Sequence, residues 1–84
     1  MRIELSPKAH HQLKKLKRDL KLIRMLAEAL DRIAGEPYCG KELEGRFAGV
    51  RSYRMGDWRI LYEIHKRELL VLVIDIVKRS EAYR

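Results

Sequence analysis

Apolar residues follow a strand period at the start of the chain, a helical period through its first half, and a strand period again near the end. Residues 2 to 5 alternate Arg-Ile-Glu-Leu, which predicts a short strand with Ile3 and Leu5 turned to the core. Ser6 and Pro7 then start a helix, because serine is a favoured N-cap and proline suits the first helical position. Ala9, Leu13, Leu16 and Leu20 follow on one face, while Lys8, Lys14, Lys15, Lys17, Arg18 and Lys21 fill the rest of the surface. Ile23, Leu26, Ala27, Leu30, Ile33 and Ala34 carry the helical period to Gly35, with Pro37 beyond as a stop signal. One continuous helix from Pro7 to Ala34 would be about 42 Å long. A domain of this size has a radius of gyration of about 12 Å, so the chain folds back. Asp19 is the best available N-cap, which predicts a tight helical hairpin near Lys17 to Leu20.

Residues 35 to 49 hold four of the five glycines and one of the two prolines, and read as a connecting loop anchored by Leu43 and Phe47. Strands over Val50 to Met55 and Trp58 to Ile64 flank Gly56-Asp57, the signature of a hairpin with a primed two-residue turn. That turn sets Met55 opposite Trp58, Tyr53 opposite Ile60 and Arg51 opposite Tyr62 on one face, and Arg54 opposite Arg59 on the other. After the charged turn His65 to Glu68, Leu69 to Val77 is almost unbrokenly apolar, as expected of a central strand buried on both faces. Pairing Ile64 with Leu69, Tyr62 with Val71 and Ile60 with Val73 completes the sheet. The expected fold is α+β: a single domain over residues 1–84, with an N-terminal strand and a helical hairpin packed on one face of a small, mainly antiparallel four-stranded sheet. The other face carries Leu61, Leu70, Leu72 and Ile74 beside Arg59, and no helix remains to cover it. Such a patch predicts a partner surface, fitted to a helix of another protein.

Charge sharpens the picture. The 19 Lys and Arg against 12 Asp and Glu give a net charge of +7, which favours an anionic partner. Eight of the basic residues fall in residues 1–24 and eight in residues 48–84, so both ends of the chain build the basic surface. A lone cysteine, Cys39, leaves no internal disulfide and no cysteine-based zinc site, which suits a reducing, cytoplasmic setting. No apolar run approaches the roughly 18 residues of a membrane span. His10 and His11 are neighbours on a helix and cannot face one site, so no metal is expected, and the absence of a glycine-rich phosphate loop leaves no cofactor to expect either. The lysine-rich first helix reads as a solvated face or as a contact with RNA or DNA.

Two guanidiniums directly opposed across a hairpin cost about 0.2 to 1 kcal/mol. An anion between Arg54 and Arg59 would reverse that cost, and arginine is the side chain best suited to bidentate phosphate recognition. Lys78 and Arg79 leave the last strand, and Tyr83 follows four residues later. A carboxylate pair for acid-base catalysis is missing: Asp57 is a turn residue, and Asp75 is most simply paired with a neighbouring base. RNA relaxes the requirement, since its own 2′-hydroxyl is a nucleophile. Its cleavage then needs in-line positioning, cations around the phosphorane, and one group that moves a proton. Tyr83 is the candidate for that group, the alternative being a terminal aromatic packed on the sheet edge.

The opening strand with its Ser-Pro helix start, the Lys41-Glu42-Leu43-Glu44-Gly45 loop, the Tyr53 to Ile64 hairpin with its Gly-Asp turn and aromatic-Arg continuation, and the Lys78-Arg79 to Tyr83 ending together resemble the RelE/ParE superfamily of toxins from toxin-antitoxin pairs. The resemblance covers essentially the whole chain, with the mRNA-cleaving RelE-like branch the nearer match. It implies a cytoplasmic, metal-independent endoribonuclease that cuts mRNA in the ribosomal A site, against 16S rRNA, and is held inactive by a cognate antitoxin. On that resemblance Arg59 and Arg79 match phosphate-stabilising arginines, Tyr83 matches a terminal catalytic tyrosine, and Arg54 matches a basic position of the same strand. Contact with RNA and the ribosome is expected from Lys14, Lys15, Lys17, Arg18, Arg51 and Lys78. The sequence departs from the mRNA-cleaving pattern at Val50 and Ser52, where that branch carries lysines. ParE-like members share the fold but poison DNA gyrase without cutting RNA, so a gyrase inhibitor is the alternative, and an inactive homologue serving antitoxin-linked repression is a third.

Overall fold

The structure, a computed structural model, describes residues 1–81. In chain order it forms β1 (Arg2–Leu5), α1 (Pro7–Leu16), α2 (Leu20–Gly35), β2 (Lys41–Glu42), β3 (Arg51–Met55), β4 (Trp58–His65) and β5 (Leu70–Lys78). Single 3-10 turns lie at Pro37–Cys39, Gly45–Phe47 and Arg79–Glu81. The sheet has five strands in the order β1-β5-β4-β3-β2, with β1 parallel to β5 and the other pairs antiparallel. Four strands were expected. The fifth is β2, whose two residues, Lys41 and Glu42, pair with Ser52 and Arg51 and are too few to show a period.

Both helix starts form as their caps predict. The Ser6 hydroxyl accepts from the Ala9 amide at 3.0 Å and donates to the Ile74 carbonyl at 2.8 Å, so one side chain caps α1 and ties it to β5. Asp19 accepts from the Leu22 amide at 3.0 Å, and its own amide donates to the Leu16 carbonyl at 3.0 Å. Those bonds satisfy the ends of both helices and allow the reversal without a glycine. On α2 the buried stripe is Leu22, Leu26, Ala29 and Ile33, one position away from much of the expected set. Ala27 is exposed, and Leu20, expected in the core, is 76% exposed as the first residue of α2. The stripe steps by four, three and four residues, which keeps it on one line along the helix.

Gly56 at the hairpin tip takes φ +59°, while Asp57 has no positive φ, the pattern of a type II′ turn. From it the β3–β4 register runs as expected, Met55 to Trp58 through Arg51 to Tyr62. The β4–β5 register differs from the expected one. Ile64 pairs with Val71 and Tyr62 with Val73, and beyond a bulge Ile60 pairs with Ile76. Two features of the chain cause this. Leu69 lies in the turn rather than the strand, 67% exposed and at φ +52°. Ile74 is the extra residue between Val73 and Asp75, and the bulge returns Ile76 to the helix side, where it is fully buried.

The helices cover the face that carries Ile60, Tyr62, Val71, Val73 and Ile76, all completely buried. Tyr62 also holds the connection after α2. Its hydroxyl accepts from the Gly40 amide at 2.9 Å and donates to the Pro37 carbonyl at 2.7 Å. Burial drives the Tyr62 pKa up to about 12, so the phenol stays a donor at physiological pH. Leu43 and Phe47, the expected anchors of this loop, are only half-buried and lie outside the main core cluster. A tyrosine reaching across from β4 does the anchoring instead, and a β-carbon at Gly40 would stand 2.9 Å from its ring.

Candidate functional site

Alternate residues of the same strands face away from the helices. β3 contributes Ser52 and Arg54, β4 contributes Arg59 and Leu61, and β5 contributes Leu72, Ile74 and Val77. The apolar members are half-buried, and no helix among the described residues lies over them. Arg54 and Arg59 are Cα partners, as the hairpin register predicts. Met55 and Trp58 close the two-residue turn as a hydrogen-bonded pair, so the next pair, Arg54 with Arg59, is of the non-bonded kind, in which opposed side chains stand closest.

Both arginines line a depression of about 390 Å³ together with Lys41, Ser52, Arg32 and Tyr53. Four of its lining side chains are cationic and none is a carboxylate. Arg32 and Lys41 were missed by sequence reasoning. One lies in the last turn of α2 and the other on the two-residue strand β2, and only the pairing of Lys41 with Ser52 brings it beside the hairpin.

Arg79 does not line this hollow. Its amide donates to the Asp57 carbonyl at 2.7 Å, which places it at the hairpin tip, where it lines a second depression of about 660 Å³ with Asp57, Trp58, Lys78 and Ser80. The Lys78 ammonium lies 5.8 Å from the centre of the Trp58 ring. Tyr83 lies outside the described residues.

Lys14, Lys15, Lys17 and Arg18 are all exposed on the last turn of α1 and the reversal after it, and none makes an ion pair among the described residues. Cations there also complement the helix dipole. Arg51, expected to touch RNA, is engaged in the fold. Its guanidinium donates to the Gly40 carbonyl at 2.7 Å and the Tyr38 carbonyl at 3.3 Å, stacks 4.9 Å from the Tyr38 ring, and lies 3.8 Å from Glu42. Asp75 is paired with a base, Lys8, at 3.2 Å, as the simpler expectation had it. No three His, Cys, Asp or Glu residues gather into a metal-binding group among the described residues, and no described helix is long and apolar enough to cross a membrane.

Such a site can hold a phosphate group and balance negative charge on it, and its lining offers no carboxylate base. A family model described as the ParE toxin of the type II toxin-antitoxin system, parDE, matches residues 3–83. Over 45 residues the chain is 40% identical to Toxin RelE of Mycobacterium tuberculosis (strain ATCC 25618 / H37Rv), a stretch that is 54% of this chain and 46% of that protein. The chain thus matches about half the length of that relative. In the toxin-antitoxin complex RelBE2 of Mycobacterium tuberculosis, one chain superposes with a TM-score of 0.82 at 26% identity, over 93% of this chain and 96% of that one. The YoeB/ParE toxin from Agrobacterium tumefaciens has the same fold, with a TM-score of 0.83 at 18% identity over 93% and 98% of the two chains.

Proposed function

The chain belongs to the ParE toxin family of type II toxin-antitoxin systems, and we propose that it is a ribosome-dependent mRNA endonuclease restrained by a cognate antitoxin. One observation carries the reading: Arg54 and Arg59 are opposed across a hairpin in a cationic hollow whose lining holds no carboxylate, an arrangement that a bound phosphate would stabilise. In the proposed reaction the 2′-hydroxyl of a nucleotide in the ribosomal A site attacks its own 3′-phosphodiester. The P–O5′ bond breaks, leaving a 2′,3′-cyclic phosphate on one fragment and a 5′-hydroxyl on the other. Arg54 and Arg59 grip the non-bridging oxygens and stabilise the charge that builds on the phosphorane. Arg79 and Tyr83 complete the site from the end of the chain, Tyr83 by moving the proton. Lys14, Lys15, Lys17, Arg18 and Lys78 contact ribosomal RNA through its phosphates.

The antitoxin covers the open face of the sheet. Leu61, Leu72 and Ile74 form a half-buried apolar strip beside the arginines, suited to the apolar stripe of a helix. A helix seated there also blocks RNA. The reading of a DNA gyrase inhibitor is favoured by the ParE family match and by the buried Ser52 beside the arginine pair, where β3 supplies no amine or carboxylate to move a proton.

The test is primer-extension mapping of an mRNA translated in a purified ribosomal system. Cuts confined to the A site, lost in Arg59→Ala and Tyr83→Phe, are the expected result. Intact mRNA together with inhibited gyrase supercoiling would assign the protein to the other activity.

A further inference from the structure

The two-residue strand β2 leaves a gap. It pairs only with Ser52 and Arg51, so the outer edge of β3 from Tyr53 onward has no strand beside it among the described residues. Hydrogen bonding alternates along an antiparallel strand, and the Leu43 amide donates to the Val50 carbonyl on this outer side. Arg54, an even number of residues further on, therefore turns its backbone amide outward into the gap.

Three cations converge there: Arg32 from the last turn of α2, Lys41 from β2 and Arg54 from β3. None of the three makes an ion pair among the described residues. Glu28, one turn before Arg32, lines the adjoining groove together with Arg32 and Arg54 and does not line the hollow itself. Ser52 forms part of the same wall. It is 3% exposed, and its hydroxyl has no hydrogen-bond partner among the described residues. A buried hydroxyl in that state is unfavourable, and an incoming oxyanion offers it an acceptor. The hollow, about 390 Å³, falls within the size range of small-ligand sites.

We propose that Arg32, Lys41 and Arg54 form a second phosphate subsite at the free edge of β3, which holds the phosphodiester flanking the one seated between Arg54 and Arg59. The proposal rests on the nuclease reading for the identity of its ligand. The subsite fixes the direction in which the RNA strand crosses the sheet. Tyr53, which borders both this hollow and the adjoining groove, offers a ring against which the flanking base can lie.

The experiment compares the wild-type chain with Arg32→Gln/Lys41→Gln, both exposed positions whose loss leaves the core intact. Binding of inorganic pyrophosphate and of a 2′-O-methyl RNA tetranucleotide, which cannot be cleaved, is followed by amide NMR shifts, and ribosomal cleavage is followed in parallel. The expected result is a loss of about tenfold or more in affinity for both probes in the double variant, with shifts at Lys41 and Arg54 in the wild type. The slope of log affinity against log salt for the tetranucleotide falls by about 0.7. Cleavage shows a raised KM at little-changed kcat, and Lys41→Arg restores binding. Equal binding by both proteins, or cleavage with an unchanged KM, overturns the subsite while leaving the nuclease intact. Pyrophosphate binding that depends on Arg32 and Lys41 without any cleavage by the wild type upholds the anion site and removes the nuclease reading. Tighter binding of AMP than of the tetranucleotide assigns the site to a free nucleotide and overturns the flanking-phosphodiester assignment.

Discussion

The two faces of the sheet are built from alternate residues of the same strands, and they differ in what accounts for them. On the covered face Ile60, Tyr62, Val71, Val73 and Ile76 are fully buried, and packing against α1 and α2 is reason enough for each. On the open face Leu61, Leu72, Ile74 and Val77 are half-buried, Arg54 and Arg59 oppose each other, and the Ser52 hydroxyl is buried without a partner among the described residues. Moving one residue along β4, from Ile60 to Leu61, passes from a fully buried position to a half-buried one that no described helix covers. The face that the core does not need is free to carry chemistry, and the substitutions below are ways to break or sharpen that contrast.

The largest effect belongs to the covered face. Ile76→Ala removes a fully buried side chain at the bulge and should cost about 2 to 5 kcal/mol in urea unfolding. Tyr62→Phe comes next, at about 1 to 3 kcal/mol, because the buried Gly40 amide loses its acceptor. It also carries a pH signature. The folded-state pKa of Tyr62, about 12, lies above the ordinary phenol value of 10.0, so the native state holds the proton more tightly than the unfolded chain does. This contribution is fully present below pH 10 and is lost as pH rises through about 12. Tyr62→Phe should therefore flatten the fall in stability over that window.

On the open face the order of effects reverses. Leu72→Ser should cost less stability than Ile76→Ala, yet weaken antitoxin binding by about tenfold or more, as a central interface position does. A drop in stability as large as that of Ile76→Ala would erase the contrast between the faces. Smallest of all, Lys14→Gln/Lys15→Gln should change stability by no more than about 0.5 kcal/mol, while reducing the salt dependence of ribosome binding.

The sequence already displayed much of this arrangement where the signal was local. Ser6 and Asp19 mark both helix starts because an N-cap is a contact within one turn. Gly56-Asp57 sets the β3–β4 register, and with it the Arg54–Arg59 opposition, because a two-residue turn leaves the pairing no freedom. What escaped depends on distant parts of the chain. The bulge at Ile74 follows from Ile76 reaching the helices and from Ser6 bonding the Ile74 carbonyl, 68 residues away in sequence. The loop before β2 is held by Tyr62 rather than by its own Leu43 and Phe47, and Arg51, which looked available for RNA, faces that loop. Lys41 and Arg32 joined the site only once β2 was seen to pair with β3.

The measurement that bears most directly on the opposed arginines is equilibrium urea unfolding of Arg54→Glu. If the pair is kept for a phosphate at a cost to the fold, replacing the exposed Arg54 with a carboxylate opposite Arg59 turns repulsion into attraction, and the variant should gain about 0.2 to 1 kcal/mol over the wild type. A loss of stability would show that the fold needs Arg54, and would contradict the claim that Arg54 is kept for a phosphate rather than for the fold.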